Sequence, residues 1–155
     1  MHHPAAAGRP MNGETDLRFL LKRMDPAVRD GEFVFVSLDT LPSGVTGDAL
    51  PSGVSIDEME AIVREDEGVT LVVRRDIADA HDWPYDFVAA WITLRVHSDL
   101  AAVGLTAAFS AALAEHQISC NVIAGFWHDH LLVPVDQLDT ALEALRALTS
   151  DGRES

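Results

Sequence analysis

Hydrophobic positions change their period several times along the chain, and each change marks an element. Leu17, Leu20, Leu21 and Met24 recur at helical spacing behind the capping residue Thr15, and Asp25-Pro26 stops the run. "EFVFVSL", Glu32 to Leu38, is apolar on both faces and predicts a strand covered on both sides, or covered on one and paired with another chain on the other. "DTLPSGVTGDALPSG" repeats Pro-Ser-Gly without any period and reads as the long loop. Ser55 and Glu58 form a capping box, which predicts a helix to about Asp66 with Ile56, Met59, Ile62 and Val63 on one face. "GVTLVV" predicts a strand, and "RDIADAHD" a short helix ended by Trp83-Pro84.

From Tyr85 the pattern becomes more regular. "YDFVAAWITLRVH" alternates, with Val88, Ala90, Ile92, Leu94 and Val96 on one face and Trp91, Thr93, Arg95 and His97 on the other. A helix is expected over about Leu100 to His116, carrying Leu105, Phe109, Ala112 and Leu113. Ile118 to Phe126 and Leu131 to Val135 read as strands joined by a hairpin whose tip is "WHDH". A last helix opened by Asp136 places Leu138, Ala141, Leu142, Leu145 and Leu148 on one side. The order strand, helix, strand, hairpin, strand, helix is a ferredoxin-like unit lacking its last strand. An unpaired edge beside a core is a liability, so the N-terminal half is expected to donate Glu32–Leu38 or Val69–Arg74. The fold class is therefore α+β: two interlocked ferredoxin-like units, antiparallel sheets with helices packed on one face.

Composition narrows the function classes. Eleven Lys and Arg stand against 25 Asp and Glu, a formal charge of −14 in 155 residues. Such a chain repels phosphate backbones and anionic membranes, so no nucleic acid and no membrane is expected as partner. No apolar run approaches the roughly 20 residues that span a bilayer. The single cysteine, Cys120, excludes a disulfide framework and fits a reducing, cytoplasmic setting. Residues 1–12 lack the layout of a signal peptide and read as a disordered extension. No phosphate-binding Gly loop, dinucleotide fingerprint or Ser-His-Asp order occurs, so no cofactor is expected.

"WITLRVHSDLAAVGLTAAFSAALAEHQISCNVIAGFWHDHLLVPVDQLDTALEAL" resembles an ACT domain, and the chain is similar to small bacterial ACT-domain proteins related to the regulatory tandems of aspartate kinases. "GETDLRFLLKRMDPAVRDGEFVFVSL" and "GVTLVVRRDIADA" resemble the N-terminal half of the same proteins. The resemblance implies an N-terminal ACT-like half at 13–84 and a C-terminal ACT domain at 85–149, and the polar "SDGRES" reads as a frayed tail at 150–155. It implies sensing of a small ligand, an amino acid, at an interface between ACT units, and no catalysis. Ser98, Asp99, Val103, Gly104 and Leu105 would then meet the ligand with Ile118, Ser119, Cys120 and Asn121.

The residues themselves leave alternatives open. At "HSDLAAVGLT" a helix N-terminus offers N–H groups to a carboxylate, Gly104 allows close approach, and Asp99 can accept from an ammonium. Plain capping by Ser98 or Asp99 explains the same residues. In "ISCN", Ser119 and Asn121 face away from Cys120, which alternates with core positions. His128 and His130 fall on one strand face and could share a metal, with His81, His97 or His116 as distant ligands. Two other readings therefore stand beside the sensor: a metal-dependent enzyme using His128, Asp129 and His130, and a purely protein-interaction module. Trp83, Trp91 and Trp127 suit core or interface positions as well as ligand stacking. Finally, Trp91's half-polar face and the doubly apolar Glu32–Leu38 leave more apolar surface than helices can cover, which predicts a homodimer.

Overall fold

The computed structural model describes residues 16–39 and 55–151. Helix α1 (Leu17–Arg23) leads into β1 (Pro26–Leu38); the chain then continues as β2 (Met59–Glu65), β3 (Gly68–Arg74), α2 (Arg75–Ala80), β4 (Val88–Leu94), α3 (Leu105–Glu115), β5 (Asn121–Ala124), β6 (Asp129–Pro134) and α4 (Leu138–Asp151). The strands form one antiparallel sheet in the order β2-β3-β1-β4-β6-β5. Asp16 caps α1 by accepting the Phe19 N–H at 3.0 Å, whereas the expected cap Thr15 lies outside the described residues, as do the Pro-Ser-Gly loop and both termini.

The long strand β1 joins two halves. Its first residues, Pro26–Arg29, pair with Leu94–Trp91, and Phe33–Leu38 pair with Arg74–Val69. Around Asp30, Gly31 and Glu32 the register with β4 shifts. Gly31 sits at φ +99° there, and Arg74 Nη1 donates to Asp30 O at 3.2 Å. Pro26–Arg29 is thus the fourth strand of the unit made by β4, α3, β5, β6 and α4. In return Val88 and Ala89, opposite Val34 and Phe33, are the fourth strand of the unit made by β1, β2, β3 and α2. The missing strand is supplied by β1, upstream of the segment Glu32–Leu38 that the pattern named.

Two further expectations are corrected. The Ser55–Glu58 capping box is present, but it opens only a 3₁₀ turn, Ile56–Glu58, and Met59–Glu65 is a strand. Ile62 and Val63 fit either period over so short a run, and pairing of Ile62 with Leu71 and Val63 with Thr70 decides for the sheet. The helix expected from Leu100 begins only at Leu105.

Alternation along the strands sorts the core into two sides. On one side Ala90, Ile92, Leu94, Leu131 and Val133 meet Leu20, Phe109, Leu113, Ala141 and Leu145 of α1, α3 and α4, while Val34, Val36, Leu71 and Val73 meet Ala78 of α2. The other side carries no helix among the described residues, yet Phe33, Val72, Ala89, Trp91 and Leu132 are buried there, joined by Phe35, Ala61 and Ile123. Every strand contributes to this cluster, including the two sheet edges, so the sheet curls around it. Trp91 is 5% exposed and packs on Phe33 at 5.2 Å between ring centroids. The expectation that Trp91's face lies open to a second chain is therefore corrected: curvature covers it from within.

Candidate functional site

Beyond Leu94 the chain leaves the sheet and crosses its end. Arg95 is anchored to Asp25, with Nη2 at 2.7 Å from Oδ2 and the backbone N–H on Asp25 O at 2.9 Å. Val96 drops into the core. Asp99 then forms a tight local turn: its Oδ1 accepts the Ala101 N–H and its carbonyl the Ala102 N–H, both at 2.8 Å. Neither Ser98 nor Asp99 caps α3, which corrects the capping reading. The N-cap is Gly104, at φ +103°, and it brings no side-chain acceptor. The first turn of α3 therefore presents N–H groups that no capping side chain satisfies. Leu105 is buried, while Val103 and Leu100 are 83% and 62% exposed.

The second predicted segment lies elsewhere. Ile118 is buried in the helix-side core, Cys120 packs against it, and Ser119 and Asn121 are exposed. Burial pushes the Cys120 thiol up to about 11. Asn121 is level with Leu132 and hence with Trp91, whereas the loop starts beyond Leu94, level with Asp129 and Ala124. Helix α3, 11 residues, spans about 16 Å at 1.5 Å per residue and separates the two segments. One chain does not bring Ser98–Leu105 and Ile118–Asn121 together.

What the loop does meet is the β5–β6 hairpin. Gly125 N–H donates to His128 O at 2.9 Å, so the tip is Gly125–His128, and Asp129 and His130 already belong to β6. The exposed Trp127 ring lies 4.9 Å from that of His97, whose Nε2 is buried without a partner among the described residues. Ser98 Oγ reaches Asp129 Oδ2 at 3.5 Å. Burial holds the Asp129 carboxyl above the usual range, although Ser98 and the neighbouring histidines pull it back. His130 turns to the curled side of the sheet, where its Nδ1 accepts from Trp91 Nε1 at 3.2 Å and lies 3.0 Å from Thr93 Oγ1. His81 stacks on Trp83, and His116 Nδ1 lies 3.0 Å from Ala112 O. No group of three His, Cys, Asp or Glu side chains placed to hold a metal occurs among the described residues. The sequence pattern names His97 as a distant metal ligand, Trp127 as a stacking candidate and Asp129 with its two histidines, but it does not bring the three together. The thirty positions from His97 to Trp127 hide their contact.

Residues 12–90 match the ACT domain, and residues 87–147 match a second ACT domain. The chain belongs to the ACT domain family. A Vibrio cholerae protein of unknown function, described as a possible transport protein, is 40% identical over 86% of this chain and 95% of its own, with a TM-score of 0.71. The regulatory subunit of aspartate kinase from Thermus flavus is 11% identical over 82% of this chain and 99% of its own, with a TM-score of 0.56. Aspartate kinase from Clostridium acetobutylicum is 14% identical over 80% of this chain and 34% of its own, with a TM-score of 0.53. These two share the fold. No curated protein matches. The interlocked β1–β4 arrangement is thus that of a tandem of ACT units like those of aspartate kinases, on a chain whose described residues contain no helix long and apolar enough to cross a membrane.

Proposed function

We propose that this chain is a non-catalytic regulatory protein of the cytoplasm that binds an amino acid at an interface between ACT units of two copies, with ACT-like halves at 13–84 and 85–149. One observation carries the reading: the loop Ser98–Leu105 and the strand start Ile118–Asn121 stand at opposite ends of α3. Both sets contact a single amino acid only when a second copy brings one end against the other. The α3 N-terminus around Gly104 then takes the carboxylate on its free N–H groups, where the helix dipole favours negative charge. Ser119 and Asn121 of the second copy supply polar contacts. Exposed Leu100 and Val103 give the loop apolar surface to bury on assembly.

The experiment is a thermal-shift screen of the twenty amino acids, with sedimentation of the apo and loaded protein. An amino acid at about 100 times its dissociation constant adds about 2.7 kcal/mol, or roughly 5–10 °C for a chain of this size. A ligand shared by two copies also tightens their association by the same factor. No shift with any amino acid at millimolar concentration overturns the reading. A metal-bound protein whose zinc is lost in His128→Ala/His130→Ala would replace it with the metalloenzyme.

A further inference from the structure

Two polar groups at the loop–hairpin junction lack the partners their burial calls for. The Asp129 carboxylate is half-buried, and among the described residues it has one side-chain hydrogen bond, the long one from Ser98, and no Lys or Arg. His97 Nε2 is buried and, among the described residues, unpaired. Groups of this kind cost folding free energy, and native structures pair them unless a site needs them open. Both stand at the same sheet end, since Asp129 lies opposite Leu94, three residues before His97. Beside His97 lies Trp127, 57% exposed, with its ring 4.9 Å from the imidazole and Phe126 against its edge. Asp99, the carboxylate that the sequence favours for a cation, is by contrast engaged by the Ala101 N–H in its own turn.

We propose that Asp129, His97 and Ser98, with Trp127 beside His97, form the ammonium end of the ligand site. This rests on the amino-acid reading above and assigns one end of the ligand within it. A primary ammonium supplies what the junction lacks. Its charge faces the Asp129 carboxylate, and one N–H reaches the His97 Nε2 lone pair, with the imidazole proton on Nδ1. The indole face of Trp127 attracts the same cation. Because Nε2 is covered in this structure, Trp127 moves off His97 as the ammonium enters. The Ser98 hydroxyl positions the carboxylate, and Asp99 takes no part.

Two probes test this on the full chain: methylammonium chloride, with sodium chloride at equal ionic strength as control, and the amino acids of the screen. Trp127 fluorescence is the readout, assigned by its loss in Trp127→Phe. Methylammonium is expected to shift the Trp127 emission of the wild type and to leave Asp129→Asn unmoved. For any amino acid that binds, Asp129→Asn weakens affinity by about tenfold or more, the loss of one charge-assisted hydrogen bond, whereas Asp99→Asn changes it by less than about twofold. Without ligand, Asp129→Asn melts above the wild type, because a desolvated charge is gone. A structural carboxylate would give the opposite sign. Unchanged amino-acid affinity in Asp129→Asn overturns the assignment. If no amino acid binds at all, the regulatory reading fails, and methylammonium with the melting order still decides this one: no Trp127 response in the wild type overturns it.

Discussion

The Trp91 indole donates its N–H to Nδ1 of His130, 3.2 Å away, and so fixes the imidazole proton on Nε2. Thr93 Oγ1 shares the same nitrogen at 3.0 Å. Arg29 from β1 and His128 from the turn add positive charge nearby, and Asp129 opposes them. Burial comes first among the causes that hold the His130 pKa below 6.5. An unfolded chain therefore takes up this proton before the folded one does. The stability involved is present above about pH 6.5 and is lost as pH falls through the lower folded value. Urea titrations at pH 7.5 and 5.5 should show wild type losing more stability than His130→Gln, with Trp91 emission following. Equal losses in both proteins would remove His130 from the account.

At Gly104 the backbone is strained for any other residue, with φ at +103°, and an added Cβ would lie 3.0 Å from Leu17 Cδ2. Gly104→Ala should cost about 1–2 kcal/mol from the left-handed backbone alone. The leucine end can yield, so Leu17→Ala should not rescue it. Denaturation of the two single variants and the double variant checks this: full rescue would place the cost in the contact rather than the backbone.

Arg29 closes the open side of the curled sheet. Its guanidinium lies 5.1 Å from the Phe33 ring and 5.3 Å from the Trp91 ring, and it grips Glu60 of β2 through both oxygens. The pair is partly exposed, so water screens it, and the charge contributes less than about 1 kcal/mol. The stem and the ring contacts contribute comparably. Arg29→Ala should therefore destabilise by about 1–2 kcal/mol, Glu60→Gln by less, and Arg29→Met should keep much of the packing. Chemical denaturation orders the three.

Each copy carries a formal charge of −14, so a homodimer brings two strongly acidic bodies together. Raising salt shortens the Debye length from about 30 Å at 0.01 M to about 8 Å at 0.15 M and weakens that repulsion. Sedimentation should show tighter dimers at the higher salt. A dimer that loosens instead would mean that ion pairs, not apolar contacts, join the copies.

How much of this was legible depends on the range of the interaction that decides each element. The alternation of Val88 to Leu94 and the spacing of Leu138, Ala141, Leu142 and Leu145 are local, and strand and helix appear there. The Ser55–Glu58 box is local too and is present, but the state of Met59–Glu65 is set by pairing with β3, which the capping signal cannot see. That the sheet itself, rather than a second chain, covers Trp91 was illegible because it needs curvature, which gathers Ala61 and Ile123 from opposite edges of the sheet. Of the residues proposed for the ligand, Gly104 stands out by its type, whereas Asp129 reads as part of a metal-type histidine cluster because its contact with Ser98 spans 31 positions.

The exchange of strands between the two units also bears on synthesis. Segment β1 leaves the ribosome early, but its partner β4 follows some fifty residues later, at Val88. At about 5–20 residues per second, the N-terminal unit spends several seconds with one flank unpaired. During that interval its apolar strand is a template for any exposed edge nearby. A nascent chain released before β4 has emerged is thus the form most prone to aggregate, and polysomes, which hold many such chains side by side, are where this fold is most exposed to chaperones.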